Sequence, residues 1–213
     1  MSSDQLQGFF ESTMGQIVTV CIVLALFGAI LISGKNKKTD VNALVLSAIF
    51  VALYVALDQI SLFRLPQGGS VTAFSMLAIT TCGYLLGSRR GVMAGICAGL
   101  VSLIFNPYVI HPVQLLLDYP LAVGGLGFSG LFRKGKYGLP AGYLFGAFCR
   151  YICVFLSGVI FFGEYAPEGF NGFTWSLYYN IIYIGTEAIV TLAILFLPPV
   201  RKTFQRLKTQ INN

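Results

Sequence analysis

The chain has 213 residues, of which 56% are hydrophobic and only 10% are charged, and its mean hydropathy is +0.77. A soluble domain of this length cannot bury so much apolar side chain in one core, whereas a bilayer accepts it on the protein's outer surface. The net charge of +6 comes from basic clusters between the apolar segments, so no nucleic-acid partner is needed to explain it. The composition excludes a soluble domain and predicts an integral membrane protein.

Seven apolar segments are candidates for membrane-spanning helices, each of which needs about 20 residues. They lie near residues 14–33, 42–63, 72–88, 91–106, 113–132, 139–162 and 175–198. We predict an all-α, polytopic membrane bundle in which an extra helix and basic linker (1–41) precede a six-helix core (42–200) and a basic tail (201–213). Asp4 and Glu11 precede the first segment and no small-residue cleavage site follows it, so we interpret it as a retained anchor.

Basic clusters alternate with these segments in a way that predicts the topology. Cytoplasmic loops carry an excess of Lys and Arg. The basic segments are 34–41, 89–90, 133–138 and 201–213. The remaining loops, 64–71, 107–112 and 163–174, then lie outside. We therefore predict a multi-pass protein of the cell membrane with its N-terminus outside and its C-terminus in the cytoplasm.

Four ionisable residues fall inside the predicted spans, where each costs about 2.5–3.5 kcal/mol on insertion scales. Arg150 and Glu187 both come out roughly 18 Å from the outer ends of their helices, so we predict a buried ion pair. Asp58 and Asp118 lie nearer the outside, at about 8–9 Å. The only cation expected near Asp118 is Arg64 on an outer loop, so a ligand that supplies positive charge or hydrogen-bond donors is a reasonable partner for Asp118.

Aromatic and amide side chains are expected at the same depth. Tyr119 adjoins Asp118, and Trp175 precedes Asn180 by five residues. An interfacial aromatic belt is the alternative explanation for the aromatic residues. Together, an acid, an amide and flat π faces suit a planar, cationic solute. The run Pro66–Ser70 has the composition of a loop that closes over a ligand, or of a simple turn.

Small residues repeat at four-residue spacing on two helices. The face formed by Ala48, Ala52 and Ala56 suits either internal packing or a partner protein. The similar run Gly91, Gly95 and Gly99 is assigned to internal packing. The cysteines have no paired spacing, so neither a disulfide framework nor a metal site is predicted. They are Cys21, Cys82, Cys97, Cys149 and Cys153.

Two other classes of function, a membrane-embedded enzyme and a channel, fit the sequence less well than a binding protein. A membrane-embedded enzyme is disfavoured because the only histidine, His111, precedes Pro112 in an outer loop, and HExxH, GxSxG and paired-carboxylate spacings are missing. No catalytic residue is predicted, and His111 is expected to shape the start of the fifth helix. A channel is disfavoured because the polar groups cluster at two depths instead of following a continuous path.

Five motifs, in this order, resemble the thiamine-specific substrate-binding (S) component of energy-coupling factor (ECF) transporters. They are LPQGGSV, SRRGVMAG, HPVQLLLDYPLA, RYICVFLSGVIFFGEYAPEG and WSLYYN, and the resemblance covers about residues 45–198. It implies a six-helix protein that binds its vitamin tightly near the extracellular face. It also implies a transmembrane scaffold (T) subunit, which docks on the alanine-spaced face, and two cytoplasmic ATPase subunits. The chain has no phosphate-binding Gly-rich loop of its own, and no cofactor is expected.

The resemblance also implies roles for individual residues. Asp118 would pair with donor groups or the cation of thiamine, Asn180 would bind the pyrimidine edge, and aromatic rings would stack on the ligand. Three positions depart from the family or vary in it: Val154 replaces a histidine, Trp175 replaces a tyrosine, and Phe162 stands where Trp or Phe is found. Because of Val154, a pyrimidine or thiazole precursor of thiamine stays open as the substrate. The predicted substrate-binding residues are Asp118, Tyr119, Asn180, Trp175, Phe162, Tyr108, Val154, Gln67 and Gly69.

Overall fold

The computed structural model describes residues 41–105 and 108–212, together with Met14, Ile17, Val18 and Cys21. Within this part, the chain forms seven helices and one two-stranded antiparallel hairpin. The helices are α1 Val41–Asp58, α2 Ser75–Leu86, α3 Ser88–Phe105, α4 Pro112–Phe132, α5 Gly138–Phe161, α6 Gly172–Phe196 and α7 Pro198–Asn212, and the strands are β1 Ser61–Arg64 and β2 Ser70–Thr72. The predicted N-terminal span and linker lie outside the described residues, apart from the four single positions.

Five of these helices, α1, α3, α4, α5 and α6, are long and apolar enough to cross a membrane, and α2 is a shorter apolar helix. Helices α1 to α6 coincide with six of the predicted apolar segments. Many of their large apolar side chains are exposed, as expected for a surface that faces lipid. The prediction of an all-α, polytopic membrane bundle is therefore confirmed.

The predicted span 42–63 is too long, because α1 ends at Asp58 and the chain continues as β1. Leu62 and Phe63 extend the apolar run in the sequence, but they lie exposed on the strand. Pro66 begins a short 3₁₀ turn, and the positive φ of Gln67 and Gly68 turns the chain back towards β2. Residues 65–69, called the hairpin loop below, connect the two strands.

Helices α4 and α6 each contain a widened π turn. In α4 the π turn covers Leu117–Leu121 and includes Pro120, which has no backbone N–H to continue the α-helical ladder. In α6 it covers Ile181–Gly185, directly after Asn180. Such turns change the direction of neighbouring side chains and are frequent at functional sites. Asp118 lies within the first π turn, and Asn180 immediately precedes the second.

Glycines allow α3 to pack closely on α4. A Cβ atom at Gly95 would overlap the carbonyl oxygen of Val123, and one at Gly99 would overlap that of Tyr119. The prediction that Gly91, Gly95 and Gly99 serve internal packing is confirmed. This contact fixes the backbone of α4 at Tyr119, beside the predicted binding residue Asp118.

The predicted basic tail forms most of α7, which packs against the end of the bundle through Val200, Phe204 and Ile211. The ammonium group of Lys208 donates a hydrogen bond to the carbonyl oxygen of Arg133 at the end of α4. Burial and the nearby Arg133 lower the pKa of Lys208. Helix α7 therefore covers the ends of α2 and α4.

Candidate functional site

A cavity of ≈ 440 Å³ lies between the hairpin loop and helices α1, α3, α4, α5 and α6. All nine predicted substrate-binding residues line this cavity: Asp118, Tyr119, Asn180, Trp175, Phe162, Tyr108, Val154, Gln67 and Gly69. Residues that are more than a hundred positions apart in the chain, such as Gln67 and Asn180, thus line the same cavity. Its volume falls within the usual range for small-molecule sites, about 300–1,000 Å³.

The carboxylate of Asp118 is oriented by Gln114, one helical turn earlier on α4. Gln114 Nε2 donates to Asp118 Oδ2 at 2.7 Å and to the carbonyl oxygen of Tyr108 at 3.0 Å. Gln114 Oε1 accepts from the N–H of Ile110 at 3.2 Å, and its side chain is only 1% exposed. Gln114 was not predicted as a site residue, although its four-residue spacing from Asp118 places both on one helix face.

Tyr108, Tyr119 and Phe162 form an aromatic wall beside the carboxylate. The Tyr108 N–H donates to the Tyr119 hydroxyl at 2.9 Å. The rings of Tyr108 and Phe162 are stacked, with centroids 6.0 Å apart and an interplanar angle of 19°. Such π faces attract a flat or cationic ring.

Asn180 is held by its neighbours on α6. Its Nδ2 donates to the carbonyl oxygen of Ser176 at 2.8 Å, and the Tyr183 hydroxyl donates to Asn180 Oδ1 at 2.9 Å. A Cβ atom at Gly158 of α5 would overlap Ser176, so a glycine is needed where the two helices approach. The Asn180 amide is 4% exposed and is preorganised on the cavity wall. Ser176, Gly158 and Tyr183 also line the cavity and were not predicted.

The hairpin loop is fixed over the cavity by Tyr179 of α6. Its hydroxyl accepts from the Gly69 N–H at 2.9 Å and donates to the carbonyl oxygen of Pro66. A Cβ atom at Gly69 would lie 2.5 Å from the same hydroxyl, so only glycine fits this approach. The contact of Tyr179 with the hairpin loop was not predicted from the sequence.

Val154 and Trp175 lie on the cavity wall as apolar groups. Val154 on α5 is 7% exposed and offers no hydrogen bond to a ligand. The half-buried Trp175 ring contacts the ring of Tyr179, with centroids 5.7 Å apart, and that of Phe170 at 5.6 Å. Trp175 therefore lies close to both the cavity and the residue that fixes the hairpin loop.

Arg150 and Glu187 are near enough to interact electrostatically, but each makes its hydrogen bonds with other groups and not with the other as predicted. Arg150 Nη1 donates to the Tyr54 hydroxyl at 3.2 Å. Glu187 accepts hydrogen bonds from Thr72 Oγ1 at 2.7 Å and from the backbone N–H groups of Thr72 and Met76. These donors satisfy the buried carboxylate, which instead connects α6 to β2 and to the start of α2.

Further charged groups line the cavity besides Asp118. They are Asp58, Arg64 and Arg150. The positions of residues along the predicted helices indicated that Arg64 was the only cation near Asp118. The structure shows that Arg150 also lines the cavity. Among the residues that the structure describes, no group of three or more His, Cys, Asp or Glu side chains could hold a metal ion. The arrangement suits recognition of a polar, partly charged aromatic solute.

The fold and the site define a polytopic helical membrane protein with a binding cavity of small-molecule size between its helices. The chain belongs to a family of transport proteins, described as Thiamine transporter protein (Thia_YuaJ), whose pattern matches residues 44–207. This is a transport family and not an enzyme family.

Two curated relatives carry the name thiamine transporter ThiT. The protein from Bacillus subtilis is 34% identical over 178 residues, which is 76% of this chain and 92% of the relative. The protein from Lacticaseibacillus paracasei is 32% identical over 155 residues, which is 63% of this chain and 75% of the relative. A solved structure of ThiT from Listeria monocytogenes has the same fold, with a TM-score of 0.65 and 24% identity over 77% of this chain and 97% of that one.

Proposed function

We propose that this protein is the high-affinity substrate-binding subunit of an ECF-type importer and that it takes up thiamine from outside the cell. Its family and its two named relatives support thiamine as the substrate. One observation carries the assignment: the Asp118 carboxylate, oriented by Gln114, lines the same cavity of small-molecule size as the stacked rings of Tyr108 and Phe162. A carboxylate next to π faces suits the thiazolium cation and the flat aminopyrimidine of thiamine.

In this proposal, Asn180 binds the pyrimidine edge, and Phe162 and Trp175 stack on the rings. The amide donors of Asn180 are directed to Ser176, but its oxygen, which accepts from Tyr183, has a second lone pair for the amino group of the pyrimidine. The remaining predicted residues complete the wall, and the hairpin loop with Gln67 and Gly69 closes the outer side.

Energy for transport comes, in the same proposal, from a scaffold subunit and two ATPases. The residues Ala48, Ala52 and Ala56 are exposed on α1, as a docking surface requires. Small side chains there allow another helix to approach closely. Because the chain itself has no phosphate-binding loop, ATP is bound by the partner subunits.

The topology is proposed from the basic segments. The N-terminus and the hairpin loop lie outside, and α7 lies in the cytoplasm. The organisation proposed for the chain is an N-terminal anchor and linker (1–41), a six-helix substrate-binding bundle (42–200) and a basic tail (201–213).

Binding of thiamine to the purified full-length chain, without ATP, tests the substrate. The only tryptophan, Trp175, lines the cavity, so its fluorescence reports binding, and calorimetry provides an independent measurement. We expect binding at submicromolar concentration. Lack of both signals would contradict the assignment.

A matched pair of variants tests the site. Asp118→Asn keeps the shape but removes the charge, and we expect a loss of affinity of about tenfold to a hundredfold, as for a hydrogen bond to a charged group. The control Glu164→Gln removes an acid from the exposed segment after α5 and should leave binding unchanged. Equal affinity of Asp118→Asn and wild type would place the site elsewhere.

A second candidate substrate is a pyrimidine or thiazole precursor of thiamine. It is favoured by Val154, which puts an apolar side chain on the cavity wall where the family has a histidine. Competition between each precursor and thiamine for the purified chain distinguishes the two substrates. Tighter binding of a precursor would assign the chain to the precursor.

A further inference from the structure

One end of the bundle, where α2, α4 and α6 finish and α7 packs, carries a strong positive charge. The basic residues there are Arg89, Arg90, Arg133, Lys134, Lys136, Arg201, Lys202, Arg206 and Lys208. The described acidic side chains lie elsewhere. Asp58 and Asp118 line the cavity, Glu187 contacts Thr72, and Glu164 and Glu168 belong to the segment between α5 and α6. Within the described chain, this end therefore has no carboxylate side chain.

Two of these cations converge on one aromatic ring. Lys136 Nζ lies 5.8 Å and Arg201 Cζ lies 5.2 Å from the centroid of the Tyr137 ring. Both side chains also line a small pocket between α7 and the start of α5. Two cations that line the same pocket attract an anion, because it interacts favourably with both charges. The pair is therefore arranged for an anionic ligand.

The surroundings of this pair are apolar and exposed on one side. Tyr137 is 46% exposed, and the neighbouring Phe196 and Leu197 at the end of α6 are 54% and 50% exposed. The rings of Tyr137 and Phe196 contact each other, with centroids 6.2 Å apart. Arg201 lies in the first turns of α7, five residues after the last membrane-spanning helix ends at Phe196, and aromatic residues commonly mark the membrane interface at such a position. Cations next to an exposed apolar strip fit an amphiphilic anion better than a soluble one.

We propose that Lys136 and Arg201 bind the phosphate of an anionic phospholipid, whose acyl chains lie along Phe196 and Leu197. The pocket, at ≈ 10 Å³, is too small to enclose a headgroup, so the phosphate binds at its surface. Guanidinium and ammonium groups together give charge-assisted hydrogen bonds to phosphate oxygens. The site lies at the other end of the bundle from the cavity and does not depend on the identity of the transported solute.

Native mass spectrometry of the full-length chain, released from a nonionic detergent containing equal amounts of phosphatidylglycerol and phosphatidylcholine, tests this site. The wild type should retain phosphatidylglycerol in preference to phosphatidylcholine. The double variant Lys136→Gln, Arg201→Gln should bind phosphatidylglycerol about thirtyfold more weakly, as expected for two basic groups at a membrane surface. The control is the double variant Lys134→Gln, Lys202→Gln, which removes the same charge from exposed positions nearby. It should weaken phosphatidylglycerol binding by no more than about threefold.

Several outcomes would overturn the proposal. Equal losses in the two double variants would mean a diffuse basic surface, and displacement of the lipid by inorganic phosphate would mean a site for soluble anions. If the wild type showed no preference for phosphatidylglycerol, the proposed lipid site would be wrong, and an acidic protein would be the better candidate ligand for the basic end. Thermal unfolding checks the fold of each variant. If the first double variant is unstable, Lys136→Gln alone, at an exposed position, should still weaken binding about fivefold.

Discussion

The hydroxyl of Tyr179 on α6 accepts a hydrogen bond from the backbone N–H of Gly69, at 2.9 Å, across 110 positions of the chain. The same hydroxyl donates to the carbonyl oxygen of Pro66. One side chain thus satisfies two backbone groups of the hairpin loop. Because Tyr179 also contacts Trp175, the position of the loop is connected directly to the cavity wall.

Replacing Tyr179 with Phe should accelerate ligand release. The ring and its contact with Trp175 remain, but both hydrogen bonds to the hairpin loop are lost, at a net cost of about 1 kcal/mol each. We expect the dissociation rate of thiamine to rise by up to about thirtyfold, measured by stopped-flow tryptophan fluorescence. The control Tyr178→Phe changes an exposed neighbour whose ring contacts Phe170, and it should release ligand at the wild-type rate.

Gly69→Ala should weaken binding by displacing the hairpin loop. Its Cβ atom would lie 2.5 Å from the Tyr179 hydroxyl, so the loop or the Tyr179 ring must shift and their hydrogen bond is disturbed, at a cost of about 1–3 kcal/mol. Gly185→Ala in α6 is the matched control, since its Cβ atom would meet nothing closer than 3.8 Å. Calorimetry should show lower thiamine affinity for the first variant only. Wild-type affinity in Gly69→Ala would show that the loop contact does not contribute to binding.

Glu187→Gln should destabilise the protein. The amide retains one acceptor oxygen and places its NH₂ group against the donors of either Thr72 or Met76, so about 2 kcal/mol of stabilisation should be lost. The melting temperature in detergent should fall by roughly 4–8 °C. Glu168→Gln, in the exposed segment before α6, should unfold as the wild type does. Similar melting temperatures for both variants would mean that the hydrogen bonds of Glu187 add little to stability.

Val154→His tests whether the apolar wall position limits thiamine affinity. An imidazole at this position adds a polar ring beside the ligand, so we expect tighter binding of thiamine in a fluorescence titration. Val154→Leu keeps the position apolar and should not increase affinity. An unchanged affinity in Val154→His would reject the idea that this substitution alters substrate choice.

Labelling of introduced cysteines tests the orientation. Glu168→Cys and Lys134→Cys lie at exposed positions on opposite sides of the proposed topology. In intact cells, a membrane-impermeant maleimide should react with the first and not with the second, after the background from the native cysteines is subtracted. The reverse pattern would invert the proposed topology.

The sequence predicted the bundle and the residues that meet in the cavity because both follow from apolar segment length and from compact motifs. The motif around Asp118 places its acid and its tyrosine on successive positions of one helix, whereas Gln114, one turn earlier, was not predicted. The hairpin was missed because its apolar residues continue the hydrophobic run of α1, and only pairing with a later segment makes them a strand.

The direct contact predicted between Arg150 and Glu187 is not formed, for a different reason. The sequence predicts the depth of a side chain along its helix. It does not predict the direction in which the side chain points around the helix, because that depends on how the neighbouring helices pack. Glu187 points towards Thr72 and Met76, whose donors are not visible in a comparison of charges alone.

Gln114 contacts both the Asp118 carboxylate and the backbone of Tyr108 and Ile110 in the outer loop. A ligand that draws the carboxylate towards itself therefore also changes the restraint on this loop. Linkage requires the effect to be reciprocal: any antibody fragment or ion that stabilises one arrangement of the loop changes the ligand's affinity by the same factor. Occupancy of the cavity thus alters an exposed loop of the protein, at Tyr108 and Ile110.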